Sequence, residues 1–271
     1  MHATRPVTAL TALALSLGLA AAPAPARAQS PGQPLLKFNG KDLTGFYTYL
    51  HDHKYEDPDG VVKVVDGEIR VSGKELGGFI TREAYENYRL VVEWRWTGET
   101  HPPREKKARD SGILLHCIGA DGSYGGHWME SMECQLIEGG SGDFIVVSVK
   151  GGEPLSLSAH VKKESDGQWY YTPDGSGELR AFAAGRINWW GRQVGWKDEV
   201  GFRGDKDVEK PVGEWNTMEV VCDGDTITNI LNGKVVNVGV KSSLTRGKIT
   251  FQSEFAGIAF RRIEILPLDK K

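Results

Sequence analysis

Residues 213–240 contain three short segments in which apolar and polar side chains alternate, and this pattern constrains the fold more than any other feature. A turn at Asp223-Gly224-Asp225 separates the first two segments, and Asn232-Gly233 separates the second from the third. Asp-Gly and Asn-Gly supply the positive φ angles that tight hairpin turns require. The sequence therefore predicts an antiparallel meander of three strands.

Further alternating segments extend this architecture along most of the chain. Residues 88–96 alternate throughout, a hairpin is indicated around Asp66-Gly67, and residues 248–254 and 258–266 supply two closing strands. No segment beyond the N-terminal apolar run has a sustained helical period. A chain of 271 residues is long enough for one β-sandwich without a second core. We therefore expect an all-β sandwich of two antiparallel sheets.

A predicted hairpin across residues 109–143 carries three polar side chains among apolar ones. His116 alternates with apolar neighbours in the first arm, and Glu133 and Gln135 do so in the second. Successive side chains of a strand point to opposite faces, so the three project together if the two apolar sets face one core. An imidazole, a carboxylate and an amide on one sheet face are suitable groups for a sugar site.

Five other side chains are candidate sugar contacts. Glu93 and Arg95 either join the polar face of the hairpin or form a solvated cross-strand pair on an outer sheet. Trp190 either stacks on a sugar ring from a loop or closes the edge of a small core. Arg109, at the entry to the hairpin, and Gln252, on a closing strand, complete the predicted substrate-binding set.

The N-terminal 28 residues have the pattern of a secretory signal peptide. Arg5 precedes an apolar run, and Ala26-Arg27-Ala28 forms a small-x-small cleavage signal before Gln29. We therefore expect an exported protein, periplasmic or secreted, with a linker at residues 29–34, a single domain at residues 35–271 and no transmembrane segment in the mature chain. The sequence does not indicate an oligomeric state.

Composition and motifs exclude several classes of function. The chain has 33 Lys and Arg residues against 36 Asp and Glu residues, so it lacks the basic surplus of an electrostatic nucleic-acid binder. No G-x-S-x-G elbow, P-loop or dinucleotide fingerprint is present. Cys117 and Cys134 lie on the two arms of the hairpin, where a disulfide is one interpretation and two buried free thiols the favoured one.

Eight motifs resemble one known family, in the order in which that family has them. These are FNGKDLTGF, YRLVVEWRW, SGILLHC, MESMECQL, GEWNTMEVVCDGDTIT, LNGKVVN, FQSE and AFRRIEILPL. They are similar to the 3-keto-disaccharide hydrolase, or 3-keto-glycoside hydrolase, domain, formerly a domain of unknown function, and cover about Leu35 to Leu268. The resemblance implies a concanavalin A-like jelly-roll sandwich that binds a small carbohydrate on a concave sheet face.

The resemblance also implies cleavage of 3-keto-glycosides. A ketone at C3 acidifies the C2 proton, so that its removal lets the C1 substituent leave, and water then adds to the enone. This route needs a base, an acid and a ligand for the enolate oxygen. We assign His116 as the base and Glu133 as the acid, with the two roles exchangeable, and Gln135 with Arg95 or Arg109 as oxygen ligands.

Three alternatives remain open at the level of sequence. No cofactor is evident, but His116, Glu133 and Glu93 are a donor set that suits a divalent cation able to polarise the keto group. A non-catalytic carbohydrate-binding module would keep the sandwich without the chemistry. A conventional glycosidase would instead use two carboxylates on either side of the bond.

Overall fold

A computed structural model describes Met1 and residues 33–268 of the chain. The predicted signal peptide, apart from Met1, and the first four residues of the predicted linker lie outside the described residues. Pro31–Lys271 forms one compact unit.

The described residues form eighteen β-strands. In chain order these are β1 Leu36–Lys37, β2 Phe46–Leu50, β3 Val62–Val65, β4 Glu68–Val71, β5 Gly77–Thr81, β6 Tyr88–Thr100, β7 Asp110–Ile118, β8 Glu130–Ile137, β9 Phe144–Val147, β10 Leu157–Lys163, β11 Trp169–Tyr171, β12 Glu178–Phe182, β13 Gly185–Ile187, β14 Asn216–Asp223, β15 Thr226–Leu231, β16 Lys234–Gly239, β17 Lys248–Ser253 and β18 Ala256–Pro267.

The strands pair into two large antiparallel sheets and one small one. The eight-stranded sheet has the order β16-β15-β14-β6-β18-β4-β3, with β1 added beside β18. The seven-stranded sheet has the order β13-β9-β8-β7-β17-β5-β2, and β11, β10 and β12 form a separate three-stranded sheet. No helix occurs within residues 33–268, and hence none that is long and apolar enough to cross a bilayer. The predicted all-β, concanavalin A-like jelly-roll sandwich is confirmed.

The main core lies between the two large sheets. Phe260 of the eight-stranded sheet meets Phe79 and Phe251 of the seven-stranded sheet, with ring centroids 5.5 and 5.6 Å apart. Trp94 and Trp96, two residues apart on β6, point into the same core and are almost fully buried. Burial of each large apolar side chain contributes about 1.5–3 kcal/mol, so the alternating pattern of the strands decides which face of each sheet turns inward.

The strands predicted between tight Asp-Gly and Asn-Gly turns are present, whereas strands in irregular sequence were not predicted. The three-stranded meander forms as β14, β15 and β16. Residues 151–186, which have no clear pattern, contain the whole three-stranded sheet and the start of the edge strand β13. Cys117, Cys134 and Cys222 are all free and buried, so the free-thiol interpretation is confirmed.

Candidate functional site

The candidate site lies on the face of the seven-stranded sheet that is turned away from the main core. We call this the site face; it carries Leu114, Glu133 and Gln252. In the β7–β8 register, Glu133 is opposite Leu114 and Gln135 is opposite Gly112. Cys134, between them, points into the main core. The prediction that Glu133 and Gln135 share the face opposite to the core is therefore confirmed.

His116 does not share that face, and this part of the prediction is wrong. Leu115 pairs with Met132 but Ile118 pairs with Glu130, so β7 contains one residue more than β8 at this point. The extra residue makes a β-bulge, in which His116 has a φ of +52°. The bulge reverses the alternation, so that Cys117 packs with Leu114 on the site face instead of His116.

His116 is fully buried on the core side of the bulge. Its Nδ1 donates to the Leu244 carbonyl at 3.0 Å, and its ring meets the Tyr88 ring edge-on at 5.5 Å. Burial lowers the pKa of His116 to about 4, only partly opposed by the bond to Leu244. Its Nε2 is buried without a hydrogen-bond partner among the described residues, so the ring is a neutral imidazole held through Nδ1.

Glu93 and Arg95 lie on the other sheet, so the structure supports the solvated-pair interpretation. Both belong to β6 of the eight-stranded sheet. Glu93 accepts a 2.6 Å bond from Arg261, while Arg95 bonds Glu68 at 3.1 Å and covers the Trp215 ring. These contacts are cross-strand ion pairs on the outer face of that sheet, and they do not reach Glu133.

The proposed metal ligands consequently do not converge. Glu93 belongs to the opposite sheet, and His116 faces the core while Glu133 faces away from it. Across residues 33–268, no group of three or more His, Cys, Asp and Glu side chains is close enough to hold a common metal ion. The trio of His116, Glu133 and Glu93 therefore does not fit a divalent cation.

Arg109 and Trp190 also have partners away from Glu133. Arg109, just before β7, donates to Glu138 at 2.6 Å and to the Gly98 carbonyl of β6 at 2.9 Å. Trp190 packs against the edge of the main core and donates its indole N–H to the Val235 carbonyl at 3.0 Å. The core-edge interpretation of Trp190 is the one the structure supports.

Gln252 lies next to Glu133, as predicted. Both side chains lie over Gly112, which has no side chain of its own. A Cβ on residue 112 would come within 2.2 Å of Glu133 Oε1 and 2.4 Å of Gln252 Oε1. The two side chains therefore occupy the space that any larger residue at position 112 would fill. Both are almost entirely buried, with 4% and 0% of their surface exposed.

Asp110 is a site residue that the sequence analysis did not identify. It begins β7 two residues before Gly112, so it projects from the site face. Its Oδ2 forms an ion pair with Arg104 at 3.0 Å, while its Oδ1 is buried without a hydrogen-bond partner among the described residues. Arg104 thus fixes one carboxylate oxygen of Asp110, and the other oxygen is available to a ligand.

Arg186 is the second unrecognised site residue, and it lies on the short edge strand β13. In the register of β13, β9 and β8, Arg186 is opposite Ile145, and Ile145 is opposite Glu133. Its Nη1 donates to Asp143 Oδ2 at 2.8 Å. Arg192 binds the same oxygen, and Asp143 Oδ1 accepts the Trp189 backbone N–H at 2.7 Å. A fully buried carboxylate therefore fixes the guanidinium at the edge of the site face.

The carboxylates of the site face have unusual protonation behaviour. Burial, reinforced by the charge of Asp110 and opposed by Arg186, raises the pKa of Glu133 to about 8. Burial also raises the pKa of Asp110, but Arg104 and Arg186 limit it to about 6. Glu254, whose backbone bridges to Asp110, has its pKa raised well above its usual value by burial and by these two neighbours. At neutral pH, Asp110 is thus mainly ionised and Glu133 mainly protonated.

Several polar atoms around Glu133 have no hydrogen-bond partner within residues 33–268. These are Gln135 Oε1, Gln252 Oε1, Gln252 Nε2 and Asp110 Oδ1. Buried polar atoms in folded proteins are almost always paired, and leaving one unpaired costs about 1–3 kcal/mol. Their concentration on the site face is the property expected of a site that binds a hydroxyl-rich ligand.

Of the three site residues that were not predicted, only one could have been found from the sequence. Asp110 alternates with Gly112 and Leu114, so extending the alternation of the first arm back to residue 110 would have placed it on the site face. Arg186 follows a stretch without a strand pattern, and only its pairing with β9 brings it to Glu133. Arg104 belongs to the charged loop before β7, and only its ion pair with Asp110 brings it in.

A comparison with protein families decides the relationship of the chain. The family described as the 3-keto-alpha-glucoside-1,2-lyase-like domain matches residues 35–266. The chain belongs to this family. It is therefore a member of a carbohydrate-active family, and the resemblance drawn from its motifs is confirmed. No curated protein matches the chain significantly.

Solved structures with a similar fold include enzymes and a binding module. A candidate glycosyl hydrolase from Parabacteroides distasonis ATCC 8503 is 18% identical, with 86% of this chain and 92% of that one covered and a TM-score of 0.49. The carbohydrate-binding module CBM66 from Bacillus subtilis is 7% identical, covering 83% and 97%, with a TM-score of 0.44. A Bacillus licheniformis beta-glucanase is 11% identical, covering 89% and 100%, with a TM-score of 0.43. Similarity at these levels does not transfer an activity.

Proposed function

We propose that the protein cleaves 3-keto-glycosides on the site face by elimination and hydration, with Asp110 as the base and Glu133 as the acid. One observation carries this assignment: Glu133 lies over Gly112, Asp110 begins the same strand two residues earlier, and these two buried carboxyl groups have pKa values of about 8 and about 6. Environments that separate the pKa values of neighbouring acids are typical of acid–base pairs. His116, which faces the core, has no part in this assignment.

The elimination uses each carboxyl group in the state that it has at neutral pH. The unengaged Oδ1 of ionised Asp110 removes the proton from C2 of the 3-keto sugar. As the C1–O bond breaks, its electron pair goes to the glycosidic oxygen, and protonated Glu133 supplies the proton to that oxygen. The products are the free alcohol or sugar and an enone.

Hydration of the enone returns both carboxyl groups to their starting states. Glu133, now ionised, takes a proton from water as the oxygen adds to C1, and Asp110 returns its proton to C2. The sum is one 3-keto-glycoside and one water giving one 3-keto sugar and one alcohol. No oxidant, reductant or covalent intermediate is needed.

Arg186 and the two glutamines stabilise the negative charge that develops on the C3 oxygen. Arg186 lowers the pKa of both Glu133 and Asp110, so its positive charge already acts on the place where the substrate reacts. The amide of Gln252 is fully buried beside Glu133, where it can act as a hydrogen-bond donor. Preorganised donors of this kind typically contribute about 2.7–4 kcal/mol each to transition-state stabilisation.

The test is to incubate the purified protein with a 3-keto-glucoside and with its parent glucoside. Cleavage of the keto sugar alone is the expected result. Cleavage of both would indicate a conventional glycosidase, and binding without cleavage would indicate a non-catalytic module; either would refute the proposal.

A reaction in D₂O tests the mechanism itself. Removal and return of the C2 proton should place deuterium at C2 of the product, as measured by NMR. Because the C2 proton of a ketone also exchanges without an enzyme, the product must be incubated alone under the same conditions. Turnover with no deuterium above that background would rule out elimination.

A further inference from the structure

A cavity of about 310 Å³ lies beside the site face at its β13 edge. Arg186 lines it, together with Asn188, Gln168, Trp196 and Asp166. Small-molecule sites in proteins have volumes of about 300–1,000 Å³, so this cavity is at the lower end of the range and suits a single ring.

The cavity adjoins the proposed reaction centre through Arg186. Arg186 and Glu133 are both opposite Ile145, on strands at either side of it, so their backbones are two strand spacings apart, about 10 Å. The charge of Arg186 acts on Asp110, Glu133 and Glu254. A ligand in the cavity would therefore be next to a sugar held above Gly112.

The charges around the cavity balance. Arg186 and Arg192 share the carboxylate of Asp143, and Asp166 supplies a second negative charge. Asp166 is itself engaged, since it accepts bonds from the Tyr170 hydroxyl at 2.6 Å and the Gly195 N–H at 3.0 Å. A cavity with balanced charge favours a neutral ligand over a uronate or a phosphate.

The polar side chain of Asn188 is the observation that indicates a ligand. Asn188 is only 2% exposed, and it lines the cavity. Its backbone N–H donates to the Trp169 carbonyl and its own carbonyl accepts the Tyr171 N–H, so the backbone fixes this residue at the cavity wall. A ligand hydroxyl in the cavity would be within reach of this amide, which can both donate and accept a hydrogen bond. The Trp196 ring, covered by Arg192 on one face at 4.1 Å, adds the aromatic wall common in sugar sites.

We propose that this cavity binds the departing sugar of a disaccharide substrate as a neutral pyranose ring, with Asn188 and Gln168 as its hydroxyl ligands. The inference rests on the proposed function, because it takes the ring that is cleaved to lie above Gly112. A sugar subsite in this cavity makes the protein selective for disaccharides over simple alkyl glycosides.

The test compares a 3-keto-disaccharide with the methyl 3-keto-glucoside, whose leaving group is too small to fill the cavity. Gln168 is exposed, so Gln168→Trp can occupy the cavity without disturbing a core, and Asn188→Ala removes the buried amide. Each variant should lower kcat/KM for the disaccharide by about tenfold, which corresponds to one lost interaction, and change that for the methyl glycoside by less than about twofold.

Tyr55→Ala is the matched control, because Tyr55 is 64% exposed and contacts Tyr47 at the opposite edge of the sheet. It should leave both substrates unaffected. An equal loss on both substrates in the Gln168 and Asn188 variants, or no loss on the disaccharide, would overturn the subsite.

Calorimetric binding of the unoxidised disaccharide separates this inference from the proposed function. If the wild-type protein cleaves neither keto substrate, the proposed function fails. Weaker disaccharide binding by Gln168→Trp, with binding of the methyl glucoside unchanged, would still support the cavity as a sugar subsite. Equal binding by the variant and the wild type would refute it.

Discussion

The carboxylate of Glu133 lies over Gly112, so close that a Cβ on residue 112 would be 2.2 Å from Oε1. The backbone of Gly112 has no positive φ, so the need for glycine comes from the space above it. Gly112→Ala should therefore displace Glu133 and Gln252, destabilise the protein by about 1–3 kcal/mol and lower kcat by about a hundredfold. Steady-state kinetics with a thermal melt measures both effects.

Gly257→Ala is the control for that variant. Gly257 belongs to β18 of the other sheet, where a Cβ would be 2.2 Å from Thr97 Oγ1, so the crowding is similar. It should lower stability by a comparable amount and leave kcat unchanged. Similar activity losses in the two variants would show that Gly112 acts only through stability.

The pH dependence of activity should be bell-shaped. The base Asp110 must be ionised and the acid Glu133 protonated, so kcat/KM should rise through a pKa near 6 and fall through a pKa near 8. Because the two groups interact, the limbs report the pair rather than either residue alone. A rate profile across this range, with buffer controls, is the measurement.

Glu209 provides a control for the alkaline limb. Burial raises its pKa to about 8 as well, but its oxygens accept bonds from Trp96 and Ser141, in a different part of the structure. Glu209→Gln should keep the alkaline limb of the wild type. Loss of that limb would show that it reports a general change in stability.

Glu133 should also make the protein less stable as the pH rises. Its pKa is about 8 in the folded state and 4.5 as the ordinary value, so between these values the folded state holds a proton that the unfolded state has released. Its contribution to stability is therefore complete below pH 4.5 and is lost as the pH approaches 8, with a slope of at most about 1.4 kcal/mol per pH unit.

Glu133→Gln should remove this loss, so the free energy of unfolding of the variant relative to the wild type should increase between pH 4.5 and pH 8. Urea unfolding at several pH values measures it. Glu178→Gln, on the exposed side of β12, should show no such trend. A Glu133 variant that parallels the wild type at every pH would contradict the raised pKa.

His116 and Asp110 should respond to substitution in opposite ways. His116→Asn keeps a residue that tolerates positive φ but removes the ring packed on Tyr88, so stability should fall by about 1–3 kcal/mol while kcat changes by less than about threefold. Asp110→Asn should lower kcat by about 10²–10⁴-fold, the usual contribution of a general base. A His116 variant that is folded but inactive would contradict this prediction and support His116 as the base.

The alternating segments were sufficient to predict the sandwich, because strand periodicity and tight Asp-Gly and Asn-Gly turns are local properties. The same alternation correctly placed Glu133 and Gln135 on one face of β8. Gln252, on β17, was also expected near them, and the structure brings it to Glu133 above Gly112.

The bulge at His116 depends on contacts distant in the chain. Gly247 of the segment before β17 approaches so closely that a Cβ there would be 2.3 Å from the His116 carbonyl carbon. One inserted residue moves every later side chain of the strand to the opposite face of the sheet. The sequence of β7 itself contains no signal for the insertion. The sequence pattern of β7 therefore gave His116 the wrong face.

The amino-acid sequence by itself determined the family, the all-β architecture and the face on which Glu133 projects, because motifs and side-chain periodicity are written along the chain. Only the tertiary structure decided which groups surround that carboxylate. It removed His116 by a bulge and left Glu93 and Arg95 on the other sheet. It added Arg186, because strand pairing between distant segments sets its position, and it set the pKa values of Asp110 and Glu133 through burial and neighbouring charges.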